Sequence, residues 1–376
     1  MSRVVVVGAG MGGLAVAARL ATVGHRVTVC EQAPVVGGKL AAYSRDGFTF
    51  DTGPSLLTLP AVYRDLFNKT GAPLEDSVEL VAVDPAFHYR FPAIDGHDAT
   101  RLDVANASRA RMRAALDEAL GAGAADDWDR FLERAHAIWQ VTREPFLESP
   151  LGGVPDLARL ARRTRDVRTV APWLSLRALG RRHLRDPRLR MLLDRYATYA
   201  GSDPRRAPAA LAVIPYVEQT FGAWHVRGGL RRLGEALHER ALLRGVTVRT
   251  GSDVARVLVE GDRAAGVELT SGERIASDVV VSDADATHLY EDLVPHSVGG
   301  GARRRLQRAT PSLSGFSMML ALRGRTEGIG HHTVLFPRDY DAEFDAVFGR
   351  DAHPVPDPAV YVCSPDDPAM RPEGHE

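Results

Sequence analysis

The feature that most constrains this chain is its first forty residues, where a glycine-rich turn joins an apolar strand to a helix. Residues 4–7 are four consecutive valines, the short continuous apolar run of a strand that is buried on both faces. The turn at 8–13 reads Gly-Ala-Gly-Met-Gly-Gly, a helical pattern follows, and residues 26–30 form a second strand that ends at Glu31. The order strand, glycine turn, helix, strand and acid predicts a Rossmann-like βαβ unit in an α/β fold.

Each part of this unit has a role in holding a dinucleotide. Gly8 permits the tight turn, Gly10 lets the backbone approach a pyrophosphate, and Gly13 lets the helix pack closely on the strand. The helix amino terminus offers free N–H groups to the phosphates. Glu31 lies 18 positions beyond Gly13, close to the distance at which a carboxylate binds the ribose hydroxyls. The predicted contacts are Gly8, Ala9, Gly10, Met11, Gly12, Gly13, Glu31 and Gln32.

Composition limits the class of protein. With 376 residues, 45% of them hydrophobic, the chain can form a large core and should hold two domains. A net charge of −1 gives no global attraction to nucleic acid, and no nucleic-acid-binding motif is present. Cys30 and Cys363 are too few for a disulfide framework and are interpreted as small core residues. No apolar run approaches the roughly 18 residues of a membrane span, and the first strand begins too early for a signal peptide, so we expect a cytoplasmic protein.

An arginine-rich stretch in the middle of the chain has two interpretations. Twelve arginines lie between Arg159 and Arg195, against three aspartates, with Trp173 among them. A basic amphipathic segment with a tryptophan can lie on a bilayer surface, and on this interpretation the protein is peripheral to the inner face of the membrane. The alternative is a solvated helical face in an arginine-rich protein.

The sequence shows no spacing typical of metal ligands. His331 and His332 are adjacent in a loop-like stretch and are expected to be solvated. No nucleophilic serine turn is found, and no cysteine–histidine pair can be placed together from the sequence. This favours an enzyme whose cofactor carries the chemistry.

The residues that follow the βαβ unit resemble a known family. Gly37-Gly38-Lys39 adds a second glycine pair and a base, as in FAD-dependent amine-oxidase-like enzymes, and residues 51–55, Asp-Thr-Gly-Pro-Ser, are similar to the phytoene desaturase (carotenoid desaturase) family. Residues 199–208, 224–230 and 282–285 continue the resemblance, with His225 where an aromatic residue is usual and Asp283 where asparagine is usual. The resemblance implies FAD as the cofactor, with further contacts from Gly38, Lys39, Gly53, Pro54, Ser55 and Val254.

The same resemblance implies a reaction. It is the desaturation of a carotenoid precursor such as phytoene, a polyene hydrocarbon, with hydride passing to the flavin. The sequence identifies no catalytic residue for the proton, and the oligomeric state stays open. Two alternatives remain: a related polyene isomerase or amine oxidase, and a non-catalytic FAD-binding protein.

Two further expectations concern the domains and the end of the sequence. The FAD-binding domain is expected to be discontinuous, formed by 1–70 and 212–290. The substrate domain would comprise 71–211 and 291–376, with a helical region near 105–200 that contains the membrane-facing segment. Family members usually continue into a late strand and a Pro-Gly-x-Gly-x-x-Gly turn against the flavin, which is not found before Glu376. On that basis residues 1–376 are expected to bind FAD weakly, aggregate and desaturate nothing.

Overall fold

A computed structural model of the chain describes residues 1–149, 162–309, 313 and 315–376. Arg159, the first residue of the arginine-rich stretch, lies outside the described residues. Among the described residues, no helix is both long and apolar enough to cross a bilayer. The protein is a mixed α/β structure, as the sequence predicts.

The strands alternate with helices in the first part of the chain and dominate its later part. They are β1 (Arg3–Val7), β2 (Arg26–Cys30), β3 (Ala42–Arg45), β4 (Phe48–Asp51), β5 (Leu80–Ala82), β6 (Phe87–Phe91), β7 (Thr100–Val104), β8 (Trp224–Val226), β9 (Thr247–Arg249), β10 (Val254–Glu260), β11 (Arg263–Leu269), β12 (Arg274–Ala276), β13 (Val279–Ser282), β14 (His332–Leu335) and β15 (Val360–Cys363).

The helices are concentrated between β7 and β8. They are α1 (Met11–Thr22), α2 (Pro60–Thr70), α3 (Arg109–Leu120), α4 (Ala124–Thr142), α5 (Thr164–Val170), α6 (Leu176–His183), α7 (Pro187–Thr198), α8 (Val213–Phe221), α9 (Arg231–Leu243), α10 (Ala286–His288), α11 (Gly300–Leu306) and α12 (Tyr340–Phe348). Pro60 begins α2 and Gly71 follows its last residue, in agreement with the start and stop signals of the sequence.

The glycine turn belongs to a parallel sheet with the strand order β13-β1-β2-β9. The valines of β1 alternate between two cores. Val4 and Val6 pack with α1, α2 and α9, while Val5 and Val7 pack against the antiparallel sheet β10-β11-β12. Since both faces of β1 are covered, an uninterrupted apolar run is favoured there over an alternating one.

A second sheet with the order β15-β14-β6-β7 lies in a separate core with the helices. The helical spacing of Trp128, Phe131, Leu132, Ala135 and Trp139 predicts one packed face of α4; four of them are buried and Leu132 is half buried. The pairing of β1 with β13 brings Val279–Ser282 beside the first strand across more than two thirds of the chain. The domain boundaries given above stay a prediction.

Candidate functional site

A cleft of about 630 Å³ opens at the carboxyl ends of β1, β2 and β13. In open α/β sheets this edge is where ligands bind. Ten of the predicted contacts line the cleft, from the glycine turn to the start of β10: Gly8, Gly10, Met11, Gly12, Glu31, Gln32, Gly38, Lys39, Pro54 and Val254. The other predicted residues, Ala9, Gly13, Gly53 and Ser55, lie behind this surface or beside it.

The glycines of the turn are required by close approach of the backbone. Gly8 has φ +97°, a left-handed conformation that favours glycine. A β-carbon on Gly13 would overlap the carbonyl oxygen of Gly8, so α1 can meet the turn only because Gly13 has no side chain. Gly10 precedes α1 and has no side chain that could cap the helix. The first N–H groups of α1 therefore face the cleft without a side-chain acceptor.

The second glycine pair packs on the first. The Gly37 N–H donates to the carbonyl oxygen of Ala9 at 2.8 Å, and a β-carbon on Gly38 would lie 3.0 Å from the Cα of Gly10. A β-carbon on Gly53 would overlap the carbonyl oxygen of Lys39. These contacts bring the extension at 37–39 and the start of the 51–55 motif against the turn, so that three segments form one cradle.

Glu31 is fixed at the end of β2 by two backbone donors. Its carboxylate, 8% exposed, accepts from the Ala9 N–H at 2.7 Å and from the Ala33 N–H at 2.8 Å. These bonds hold the acid between the glycine turn and the loop after β2. A carboxylate has further lone pairs beyond these two bonds, which leaves capacity for ribose hydroxyls.

The sequence alone did not identify Asp283 as a residue of this site. It follows β13, and its carboxylate stands over the turn: a β-carbon on Gly10 would lie 2.5 Å from Asp283 Oδ2, and one on Gly12 would overlap Oδ1. A carboxylate therefore lies beside the N–H groups of the α1 terminus, where the phosphates of a dinucleotide would meet them. Asp283 lies directly after a strand that pairs with β1, and this position could have identified it as a residue of the site.

The residues fit an FAD molecule at the cleft. The small-residue cradle, the uncapped amino terminus of α1 and the buried Glu31 carboxylate are the donor and acceptor groups that an adenosine diphosphate moiety needs. The Asp283 carboxylate, beside the start of α1, has a charge that opposes the phosphates.

Asp51 connects two motifs that are far apart in sequence. Its carboxylate accepts from the Leu230 N–H at 2.8 Å and from the Arg231 N–H at 3.4 Å, at the start of α9. Burial raises the pKa of Asp51, although the two N–H groups oppose this. Gly229, at φ +92°, approaches the same carboxylate so closely that a β-carbon would lie 2.9 Å from Oδ1. The first residue of the Asp-Thr-Gly-Pro-Ser motif therefore caps the helix that follows residues 224–230.

Beside the Pro54 edge of the cleft lies a group of residues that we call the tyrosine–histidine cluster: Ser55, Tyr361, His331, His332 and Cys363. The Tyr361 hydroxyl is 2.8 Å from Ser55 Oγ and 2.7 Å from His332 Nδ1. Burial raises the pKa of Tyr361 and of the Cys363 thiol.

The prediction that His331 and His332 are solvated is wrong. His332 is 0% exposed in β14, stacked between the rings of Phe87 and Tyr361. Burial lowers the pKa of His331 to about 4 and the pKa of His332 well below its ordinary value. Polar residue types suggested a loop, but β14 pairs on both sides, with β6 and with β15, and lies inside the sheet.

Next to this cluster, the buried guanidinium of Arg195 is surrounded by aromatic rings. Its central carbon lies 4.8 Å from the Phe87 ring centre and 4.9 Å from that of Tyr199, and one N–H group donates to the Tyr89 hydroxyl at 3.0 Å. Buried Glu218 supplies a nearby negative charge and accepts from the Tyr196 hydroxyl at 2.5 Å. Burial disfavours the charge on Arg195, but Tyr199, Tyr89 and Glu218 outweigh it and raise the pKa of Arg195. Burial also raises the pKa of Glu218, and Arg195 opposes that rise.

The arginine-rich stretch divides into buried and exposed members. Arg188 and Arg195 are buried, and Arg177 is a nearly buried partner of Asp194 and Asp341. Trp173 is 64% exposed. The exposed arginines are Arg162, Arg163, Arg165, Arg168, Arg181, Arg182 and Arg185, the last of which pairs with Asp127.

Comparison with known proteins agrees with this geometry. The profile of a family described as flavin containing amine oxidoreductase matches residues 11–344. The 4,4'-diapolycopene oxygenase of Methylomonas sp is 32% identical over 100% of this chain and 74% of its own length. The zeta-carotene-forming phytoene desaturase of Myxococcus xanthus is 32% identical over 100% of this chain and 70% of its own length. Among solved structures, an oxidoreductase from Methanosarcina mazei has a TM-score of 0.57 at 20% identity, covering 82% of this chain and 66% of its own, which shows a shared fold.

Proposed function

The chain belongs to the flavin containing amine oxidoreductase family and is an FAD-dependent oxidoreductase, and from this premise we propose that it desaturates a carotenoid precursor such as phytoene. The observation that carries the proposal is a match over the whole chain, at about one third identity, to proteins whose names state carotenoid reactions. FAD, when bound, supplies the hydride acceptor.

The proposed role of the cleft residues is to hold and orient the cofactor. Glu31 would accept from the ribose hydroxyls, and the N–H groups at the start of α1 would bind the pyrophosphate. Gly38 and Lys39 would extend this contact from the second glycine pair, and Ser55 would lie at the boundary between the cofactor and the tyrosine–histidine cluster. Because NADP-binding sites favour an arginine after the acid, Gln32 supports a ribose without a 2′-phosphate.

The test is turnover of a polyene by the purified chain. The protein, supplied with FAD, is incubated with phytoene in liposomes, and the pigments are separated by chromatography and weighed by mass spectrometry. The full-length matches and the cleft lead us to expect products that have lost hydrogens in pairs, in contrast to the expectation above that residues 1–376 desaturate nothing, and fewer products from Glu31→Ala when FAD is limiting. A preparation that binds FAD but leaves phytoene unchanged would support the non-catalytic alternative instead.

A second candidate is oxygenation of a carotenoid end group. It is favoured by one specific observation, the oxygenase name of the Methylomonas relative. The same mass spectra distinguish the two reactions, because oxygenation adds oxygen and desaturation only removes hydrogen. Feeding an already desaturated polyene would reveal the oxygenase activity if it is the main one.

We propose in addition that the chain takes its substrate from a membrane surface through α5 and Trp173. A polyene is almost insoluble, since each exposed CH₂ costs about 0.8 kcal/mol in water. The support for this surface is the run of exposed arginines at Arg162, Arg163, Arg165 and Arg168 with the exposed Trp173 ring. Each such arginine near anionic lipid would contribute about 1 kcal/mol.

Liposome flotation tests this surface. We expect binding that increases with anionic lipid, decreases with salt, and weakens in Trp173→Ala and in a glutamine variant of the four arginines. Tyr43→Ala, at a 45% exposed tyrosine of β3, is the matched aromatic control, and glutamine at exposed Arg304 and Arg305 is the charge control. Flotation that changes neither with anionic lipid nor in Trp173→Ala would contradict the proposal.

A further inference from the structure

Three potential metal ligands converge where β14 pairs with β15. One donor atom from each of His331, His332 and Cys363 lies within 4.8 Å of the others. His332 and Cys363 are directly opposite in the antiparallel pair, which places their side chains on one face of the sheet. We propose that these three residues bind a divalent cation of the zinc type, at a site separate from the cofactor cleft, whose lining includes none of them.

The first argument is the unused hydrogen-bonding capacity of the two imidazoles. Nε2 of His331 and Nε2 of His332 are both buried, and neither has a hydrogen-bond partner among the described residues. The ring centres of His331 and His332 are 4.5 Å apart. An unpaired buried nitrogen costs about 1–3 kcal/mol, so two of them in adjacent rings call for a common explanation. A cation bound by both rings would use both lone pairs.

The second argument is the chemistry of the donor set. Two imidazoles and one thiolate are soft to borderline ligands, which suit Zn²⁺ and exclude the oxygen-seeking Mg²⁺ and Ca²⁺. A buried water would satisfy the two nitrogens, but it has little to gain from the weak hydrogen bonding of a thiol. The presence of Cys363 therefore favours a metal over water.

The third argument is the orientation of His332. A metal-bound histidine usually donates its other ring N–H to a fixed acceptor, which sets the tautomer. His332 Nδ1 is 2.7 Å from the Tyr361 hydroxyl, which is 2.8 Å from Ser55 Oγ. With Nε2 on the metal, Nδ1–H donates to the Tyr361 oxygen and the Tyr361 O–H donates to Ser55. The hydrogen-bonding groups of His332 and Tyr361 in this series are then all paired.

Metal binding requires the three side chains to move slightly closer together. Ligand atoms in a tetrahedral zinc site lie about 3.3–3.8 Å from one another, so the three side chains must approach by about 1 Å. The Cys363 thiol loses its proton to solvent as the sulfur–metal bond forms. Three protein ligands leave the fourth position to water or another small ligand.

The experiment is a metal titration of the purified chain after treatment with a chelator and removal of the chelator. Co²⁺ serves as the spectroscopic probe, because a thiolate ligand gives it a charge-transfer band, and Zn²⁺ is then added to displace it. We expect one equivalent of Co²⁺ with that band, and displacement by Zn²⁺. Cys363→Ser should abolish the band, while Cys30→Ser, at the other cysteine of the chain, should keep it.

A second variant separates ligation from folding. Tyr361→Phe keeps the ring that stacks on His332 but removes the hydroxyl that fixes it, and we expect zinc affinity to fall roughly tenfold. Zn²⁺ should also raise the unfolding temperature of the wild type but not of Cys363→Ser. Absence of stoichiometric Co²⁺ or Zn²⁺ binding, or equal binding by Cys363→Ser, would overturn the proposal. FAD binding and polyene turnover are measured separately, so neither result depends on the other.

Discussion

The glycine turn and the tyrosine–histidine cluster border the same end of the molecule, but they are built in opposite ways. At the turn, Glu31 reaches the backbone of Ala9 only 22 positions away, and apart from the Asp283 side chain the glycines are approached mainly by backbone atoms. In the cluster, Ser55 meets Tyr361 across 306 positions, and the contacts are made by side chains from different elements. The turn depends on local backbone geometry, whereas the cluster depends on the packing of distant segments.

Arg195→Ala should give the largest effect, confined to the cluster side. The substitution removes a cation from among aromatic rings and leaves Glu218 without a counter-charge, which we expect to lower the free energy of unfolding by about 4 kcal/mol. Urea unfolding measures the loss. Arg143→Ala, at an arginine that also contacts a tryptophan ring but is half exposed, is the control and should cost less than about 1 kcal/mol.

The loss in Arg195→Ala should also depend on pH. Burial raises the pKa of Glu218 and Arg195 lowers it, so without Arg195 the pKa rises further. A carboxyl group with a raised folded-state pKa binds more protons in the folded than in the unfolded state, and stability then falls as pH rises through that pKa. The difference in the free energy of unfolding between wild type and Arg195→Ala should therefore become smaller at acidic pH. A difference independent of pH would show that Glu218 is not the group left uncompensated.

Gly13→Ala should disrupt the packing of α1 against the glycine turn. Its methyl group would overlap the Gly8 carbonyl, so α1 must move from β1, with a cost of about 3 kcal/mol and loss of FAD binding. Gly301→Ala is the matched control, because nothing lies within 4 Å of a β-carbon there, and it should change stability by less than about 0.5 kcal/mol. Equal stability and equal FAD affinity in Gly13→Ala would contradict the close approach of helix and turn.

Glu31→Ala should weaken FAD binding while leaving the cluster intact. Loss of hydrogen bonds to a charged group corresponds to roughly 10- to 100-fold in affinity. Flavin fluorescence quenching measures the change, and Co²⁺ binding by the cluster should be unaffected. Unaltered FAD affinity in this variant would mean that the carboxylate only ties Ala9 and Ala33 together.

Asp283→Asn should give the smallest effect, and in the opposite direction. The substitution removes a negative charge that stands over Gly10 and Gly12, beside the predicted phosphate position, while keeping the shape of the side chain. We expect FAD to bind several-fold more tightly, with the gain decreasing as salt is added. Weaker binding would show that the carboxylate contributes a favourable contact instead.

The contrast between local and distant contacts also explains which parts of the structure could be predicted from the sequence. The strands predicted at residues 4–7 and 26–30 carry their signals in neighbouring residues, and their predicted bounds agree with the structure to within a residue. α1 begins at Met11, although the helical pattern begins only at Leu14, because Gly12 and Gly13 are poor helix formers held there by close packing.

Contacts between distant segments gave no such signal. Nothing near His332 in sequence indicates that β14 is enclosed by β6 and β15, and nothing near Asp51 indicates that it caps α9. Arg188 and Arg195 were counted with a charged surface, yet they are buried beside partners from other elements. The assignment of individual residues to FAD contacts stays a prediction.

The most direct test of the central claim is a titration of the purified chain with FAD and, separately, with NADPH. We expect one equivalent of bound FAD, in place of the weak binding that the resemblance alone suggests, with a flavin absorption spectrum after gel filtration and no competition by NADPH, because Glu31 and Gln32 suit a ribose without a 2′-phosphate. Tight binding of NADPH with no retained flavin would contradict it.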